Sequence, residues 1–476
     1  MELISGEFLL FTAAVLLLFY ALPLRLRPLW LLGASVFFYL SADLRCGLFL
    51  LLSVLSCYCA ALFLPRTRRR KLLLSLTLAL NLGLMAALKL LPWLLAERIE
   101  NGTLRLLYPL GLSFYSLQAA AYVIDVYRGK IAPEKKLWRF ALFMCFFPIV
   151  SQGPISRYEQ LAGQLFEGRE LRAENLSYGA QLALWGYFKK MVVADRAALL
   201  VDTVYDAPGQ YAGLAVCLAA LLYTLQLYAD FSGCVDICRG IARMLGIELA
   251  ENFRRPLFST SIREFWRRWH ITLGAWFRDY LYIPLGGSRK GRLRRDFNML
   301  IVFGVSGFWH GAGLNFLFWG LLHGVYQVVG EATLGLRDRF WRALGCKAAP
   351  RFLRQLGCYL LVAFGFHFFR AQGLSTGLRM VLAAARGFSP AAFLDGSLLM
   401  LGLDGKDMLV LCLALGVMLA VSLRQERLAG NCLRSRIAAL PLPLRWALWL
   451  TLLLAVLILG VYGPGYDRTQ FIYMGF

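Results

Sequence analysis

A chain of 476 residues that is 59% hydrophobic and 17% charged, with a mean hydropathy of +0.60, is not a soluble protein. One of that length would carry about 25% charged residues and divide into two or three domains. The formal net charge of +23 invites a nucleic-acid partner, but the basic residues lie in short segments between apolar runs, so lipid headgroups are the expected contact and nucleic acid is not.

Apolar runs of about 17–25 residues cross roughly 30 Å of hydrocarbon. Such runs predict spans near 6–23, 28–43, 46–64, 72–95, 105–124, 138–150, 211–229, 297–313, 314–330, 353–369, 406–423 and 443–462. The first starts after Glu2 with no basic lead-in and continues into ALPLRLRP, so an uncleaved span is expected rather than a signal peptide. Arg25 and Arg27 follow the first span, RTRRRK (66–71) the third, and Arg128, Lys130, Lys135 and Lys136 the fifth. The alternate loops are poorer in basic residues: Arg45 after the second span, and Glu97, Arg98, Glu100 and Arg105 after the fourth, beside the formal glycosylation sequon at Asn101. This alternation places the amino terminus outside and the basic loops in the cytoplasm.

Residues 251–297 are rich in Arg and Trp and nowhere apolar enough to span, a composition suited to the membrane interface. Within them SIREFWRRWHITLGAWF reads as one amphipathic helix, in-plane or re-entrant, with Glu264 and Arg268 one turn apart. GGSRKG (286–291) lacks the ending of a phosphate-binding loop and the strand before it, and reads as a basic cytoplasmic turn. With no repeat, linker or soluble insert, the expectation is a single domain over 1–476, an all-α polytopic membrane protein.

No nucleophile elbow, HExxH or dinucleotide fingerprint is present. The eleven cysteines lack metal-ligand spacing, Cys234 and Cys238 included, and no metal is expected. What remains is a few ionisable groups at membrane depth, which usually line a cavity or pathway. GVSGFWHGAGLNFLFWG (304–320) carries His310, one of four histidines in the chain, with Trp309 before it and Gly311 and Gly313 after it. It reads equally as a core histidine or as a base, since a neutral imidazole accepts a proton. His270, Asp230, Ser232, Asp236 and Asp125 are further polar groups of this kind. For Asp125 and Asp236 a structural ion pair is expected, and for His323 and His367 packing with one backbone hydrogen bond.

FWRRWHITLGAWFRDYLYIPLGGSRKG followed by GFWHGA resembles the membrane-bound O-acyltransferase family, in particular the branch that acetylates alginate and transfers D-alanine to teichoic acid. PLWLLGASVFFYL, YPLGLSFYSLQAAAYVIDVYRG, FFPIVSQGPISRYEQL, LQLYADFSGCVDICRGIARMLGIELAENFRRPL, HFFRA and the terminal FIY resemble family blocks along almost the whole chain, densest over about 105–331. The sequence departs from the family pattern at Phe308, at Gly313, Leu314 and Asn315, and in its FIYMGF ending. The resemblance implies a helical bundle with re-entrant or interfacial helices around a central tunnel, with His310 and His270 as the catalytic pair. His310 would be the general base on an acceptor hydroxyl, and His270 would orient the donor carbonyl or shuttle the proton.

It also implies an O-acyltransferase of the bacterial cytoplasmic membrane with no bound cofactor, moving an acyl group, most simply acetyl, from a cytoplasmic thioester (acetyl-CoA or an acyl carrier protein) to an extracytoplasmic polysaccharide. The transfer would be direct or through a secreted or membrane-tethered acetyltransferase partner. Asp230, Ser232, Trp309, Asn298 and the basic residues Arg292, Arg294 and Arg295 are the further candidate substrate-binding residues. D-alanine transfer to teichoic acid is the alternative within the family. A channel or secondary transporter is the alternative outside it, although its paired broken helices or inverted repeats are not seen in the sequence.

Overall fold

The computed structural model describes residues 1–95, 109–346, 349–428 and 433–462. Glu97, Arg98, Glu100 and Arg105, the sequon at Asn101, the first residues of the 105–124 span and the FIYMGF ending lie outside the described residues. Among the described residues the regular elements are all helical: α1 (Gly6–Ala21), α2 (Arg27–Leu40), α3 (Cys46–Phe63), α4 (Arg70–Leu94), α5 (Leu112–Tyr127), α6 (Leu137–Cys145), α7 (Phe147–Val150), α8 (Tyr158–Phe166) and α9 (Ala173–Tyr187). There follow a π-helical turn (Phe188–Ala194), α10 (Asp195–Tyr205), α11 (Leu214–Met244), α12 (Ile262–Arg268), α13 (Ile271–Phe277) and a second π-turn (Arg278–Tyr282). The remaining α-helices are α14 (Arg292–His310), α15 (Leu314–Ala332), α16 (Leu334–Ala343), α17 (Arg351–Arg370), α18 (Leu374–Arg386), α19 (Gly405–Arg427), α20 (Leu433–Ala438) and α21 (Leu442–Leu459). Among the described residues six helices, α3, α4, α11, α17, α19 and α21, are long and apolar enough to cross a membrane. Leucines such as Leu10 and Leu17 on α1 and Leu413 on α19, with Ile458 on α21, are more than 60% exposed, which a lipid solvent accommodates and water does not. The protein is a multi-pass membrane protein.

The described residues form two compact units, 1–186 with 234–251, and 187–233 with 252–462. In the first unit the run expected to span at 138–150 is broken. α6 ends at Cys145, Phe146 turns the chain (φ −48°, ψ 112°), and α7 restarts with Pro148 in its first turn, where a missing N–H costs nothing. The Phe147 amide donates to Ser35 Oγ at 3.1 Å, and the Phe147 ring meets Phe11 at 5.2 Å and Phe38 at 6.0 Å. A run of thirteen residues, twelve of them apolar and the other Arg139, is therefore spent on a core helix and its turn. Arg27 also departs from its expected place in a cytoplasmic loop. It is buried, donates to the carbonyls of Leu22, Tyr20 and Arg169, and lies over the rings of Phe19 and Tyr20 at 5.3 Å.

The second unit contains all the candidate site residues. Its centre is the hairpin of α14 and α15, which meet backbone to backbone because Gly307 lies against the Phe316 carbonyl and Gly320 against that of Phe303, with no room for a methyl group at either position. Asn315 Nδ2 ties the start of α15 to the end of α17 through the carbonyls of Phe368 (3.3 Å) and Ala371 (3.1 Å). The Arg- and Trp-rich segment is not one helix. Ser261 caps α12 by accepting from the Glu264 amide at 3.2 Å, and the Glu264 carboxylate takes the Thr260 amide and hydroxyl, both at 2.8 Å. Partial burial would raise the Glu264 carboxyl, but the Thr260 bonds and the Arg268 guanidinium outweigh it and hold it below its ordinary value. α12 then ends, and the chain turns at His270 before α13 begins. Glu426 at the end of α19 gathers Arg255 (2.9 Å), Arg268 (3.0 Å) and Arg351 (3.2 Å) and fixes the segment to the bundle.

Candidate active site

His310 is the last residue of α14 and is 3% exposed. Its ring lies edge-on to Trp309 (4.7 Å), Trp319 (5.0 Å) and Phe369 (5.3 Å). The chain leaves the helix extended at Gly311, which lets the Phe316 ring close over the backbone there. A polar ring is thus held at a helix end in an aromatic box, with its orientation fixed by packing.

His270 is 1% exposed and takes a left-handed backbone (φ 45°, ψ 52°), which is unusual for any residue but glycine. Only Arg255 shares a positive φ with it among the described non-glycine residues. Asn252 holds the turn. Its carbonyl accepts from the Ile271 amide at 3.0 Å, and its Oδ1 accepts from the Thr272 amide (3.0 Å) and hydroxyl (2.9 Å) and lies 3.4 Å from His270 Nδ1. The His270 ring stands against Phe231 (4.9 Å) and Trp309 (6.1 Å). Trp309 therefore contacts both histidines, so the structure brings His270, Trp309 and His310 into one aromatic cluster. Strain at a buried, well-held polar residue is a common mark of a functional site.

Asp230 and Ser232 lie on α11 and are each 2% exposed. Rather than opening toward a substrate, both are engaged from within the protein. Lys190 Nζ reaches Asp230 Oδ1 at 2.9 Å, and Lys189 Nζ donates to Ser232 Oγ at 2.9 Å. Lys190 also meets Asp195 at 2.8 Å. Sequence reasoning missed these lysines, although the adjacent pair inside WGYFKKMVVADRAALLV was a visible signal by the intramembrane-charge rule. Asn298, fully buried, donates to the carbonyls of Leu285 (3.3 Å) and Gly287 (3.0 Å) and clamps the GGSRKG turn to α14.

In the basic cluster Arg295 is matched locally by Asp296 (2.8 Å) and Glu331 (2.5 Å), so its charge is not on offer to a donor. Arg292 is exposed and 4.0 Å from Asp296, and Arg294 lies over Phe297 at 5.8 Å. Asp125 pairs with Lys130 at 3.7 Å and Asp236 with Arg239 at 3.4 Å. His367 has the expected backbone bond, Nε2 to Gly377 O at 3.0 Å, and a second bond from Tyr205 Oη to Nδ1 at 2.8 Å. His323 instead receives the Trp266 indole N–H at 3.3 Å, a side chain where a backbone partner was expected. Among the described residues no three His, Cys, Asp or Glu side chains are grouped to share a metal ion.

A family model described as "MBOAT, membrane-bound O-acyltransferase family" matches residues 135–362, the stretch that holds every candidate site residue. The peptidoglycan O-acetyltransferase of Helicobacter pylori is 32% identical over 387 residues, covering 74% of this chain and 72% of that protein. The chain belongs to the membrane-bound O-acyltransferase family. Within that family it is also 39% identical over 277 residues to the probable alginate O-acetylase AlgI of Pseudomonas fluorescens, covering 58% of this chain and 53% of the relative. The teichoic acid D-alanyltransferase of Streptococcus thermophilus is 28% identical over 286 residues, 56% of this chain and 68% of that protein. The chain spans about half the length of the alginate relatives it matches, and these matches are narrower than the resembling blocks, which run from PLWLLGASVFFYL (28–40) to the terminal FIY.

Proposed function

We propose that this membrane-bound O-acyltransferase moves an acetyl group from a cytoplasmic thioester, acetyl-CoA or an acyl carrier protein, to hydroxyls of an extracytoplasmic polysaccharide in the bacterial inner membrane. Transfer is direct or passes through a secreted or membrane-tethered partner. The observation that carries the reading is the cluster of His270, Trp309 and His310, two buried histidines that both contact one indole, inside the stretch matched by the family model.

His310 takes the proton of the acceptor hydroxyl as the new C–O bond forms. The acyl C–S bond then breaks, and the proton passes to the departing thiolate, so no net proton is consumed. General-base help of this kind is worth about 10²–10⁴ in rate. His270, set by Asn252, orients and polarises the donor carbonyl. The surrounding Trp and Phe rings exclude water, which would otherwise hydrolyse the thioester. Names among the relatives favour acetylation of alginate or peptidoglycan.

The test uses inverted membrane vesicles loaded with alginate or peptidoglycan fragments, with radiolabelled acetyl-CoA added outside to the exposed cytoplasmic face. Wild type transfers label, and His310→Ala transfers none while remaining folded in detergent. Full transfer by His310→Ala sinks the mechanism. Label from D-alanyl carrier protein into teichoic acid, with none from acetyl-CoA, replaces the substrate assignment with D-alanine transfer.

A further inference from the structure

Lys190 and Asp195 are joined twice. The Asp195 amide donates to the Lys190 carbonyl five residues back, and the Lys190 ammonium meets the Asp195 carboxylate at 2.8 Å. In an α-helix residues five apart lie about 140° apart around the axis. The π-turn Phe188–Ala194 stacks them instead. From that turn Lys190 reaches Asp230 (2.9 Å) and Lys189 reaches Ser232 (2.9 Å), one on each side of Phe231. All five polar residues are no more than 4% exposed. Phe231 stands edge-on to the His270 ring at 4.9 Å and to Phe253 at the same distance.

We propose that Lys189 and Lys190 are positioning residues for acyl transfer: by clipping the π-turn to α11 on both sides of Phe231 they fix the wall that sets the His270 ring. The proposal rests on the acyltransferase reading given above. Buried ion pairs are poor stabilisers compared with neutral groups of the same shape, so two ammonium and two carboxylate groups in an apolar interior are better explained by the geometry they impose. Side-chain placement is where catalysis is sensitive, since a displacement of about 1 Å can cost about 10²-fold in rate.

Removing Lys190 takes an ammonium partner from two buried carboxylates, so Lys190→Met alone is expected to fold poorly. The test therefore neutralises the group together, Lys189→Met and Lys190→Met with Asp195→Asn and Asp230→Asn, and separately makes Phe231→Leu, which touches no charge. Free CoA release from acetyl-CoA is followed in reconstituted vesicles loaded with alginate or peptidoglycan fragments.

Both variants should lose about tenfold or more in kcat while the donor KM stays within about twofold. Neither should lower kcat further in a His270→Ala background, because the effect runs through that ring. Lys190→Arg should retain far more activity than Lys190→Met. Full kcat in the folded neutral variant or in Phe231→Leu overturns the proposal, as does a loss that multiplies with that of His270→Ala. If wild type itself releases no CoA, the acyltransferase reading falls and this proposal with it.

Discussion

His270 carries a Cβ in a backbone region that costs such a residue about 1–2 kcal/mol, and this reverses the usual order of small replacements. In a helix, glycine is worse than alanine by about 0.5–1 kcal/mol. At position 270, where φ is +45°, His270→Gly should be more stable than His270→Ala by about 1 kcal/mol, read as the higher unfolding temperature in detergent. An alanine variant equal to or better than glycine would mean that the positive φ is not kept in solution. The break at Trp269–His270 was not legible because neither residue is a chain breaker and the amphipathic period runs through it unchanged; the turn is imposed by Asn252, eighteen residues earlier.

The arginines separate in the same way. Neutralising the exposed Arg292 and Arg294 should raise the donor KM several-fold at low salt and much less at high salt, with kcat little changed. Arg295→Gln should instead lower stability by taking a partner from Glu331 and Asp296. Donor titration at two ionic strengths, alongside thermal unfolding, distinguishes the two outcomes.

Among the elements, the α14–α15 hairpin was the most legible. Gly311 and Gly313 in GVSGFWHGAGLNFLFWG read as leaving room for a close approach; side chains of Phe316 and Asn315 come up to them, and the two backbones meet instead at Gly307 and Gly320. Gly307→Ala has to part the hairpin at a point three residues from His310, and overpacking of this kind typically costs about 1–3 kcal/mol. The expected result is a lowered melting temperature together with a loss of acyl transfer larger than the fraction unfolded explains. Unchanged activity would mean that the hairpin's spacing does not set the histidine. By contrast, the π-turn was invisible to helical periodicity, which puts Lys190 and Asp195 on different faces. Asp230 and Ser232 were found as polar residues at depth, but their lysine partners, about forty positions away in sequence, were not. The 138–150 run failed as a span for a related reason: hydropathy reports burial without saying whether lipid or protein does the burying, and here the neighbours are Phe11, Phe38 and Ser35.

Across the whole molecule the class was legible because composition and run length state the solvent directly. Loop charge adds an orientation that side-chain packing does not test. Single cysteines placed at Arg69 and Arg292, on a background without native thiols, should be shielded from an impermeant reagent outside the cell, and one at Arg45 should react. Outside labelling at 292 would put the basic turn, and with it the donor, on the other face.

The lysine pair on the π-turn also bears on how the chain is made. A lysine at the centre of an inserting helix costs about 2.5–3.5 kcal/mol, and two in succession oppose release into lipid until something answers them. Asp195 emerges almost at once, but Asp230 and Ser232 follow about forty residues later, a delay of about 2–8 s at ordinary synthesis rates. Residues 188–205 are therefore expected to wait at the insertion machinery and enter the bilayer together with α11, as a hairpin whose two halves are already paired. In a nascent chain arrested before residue 230, a photo-crosslinker at Leu200 should label the insertion machinery, whereas in one arrested well after α11 it should label lipid.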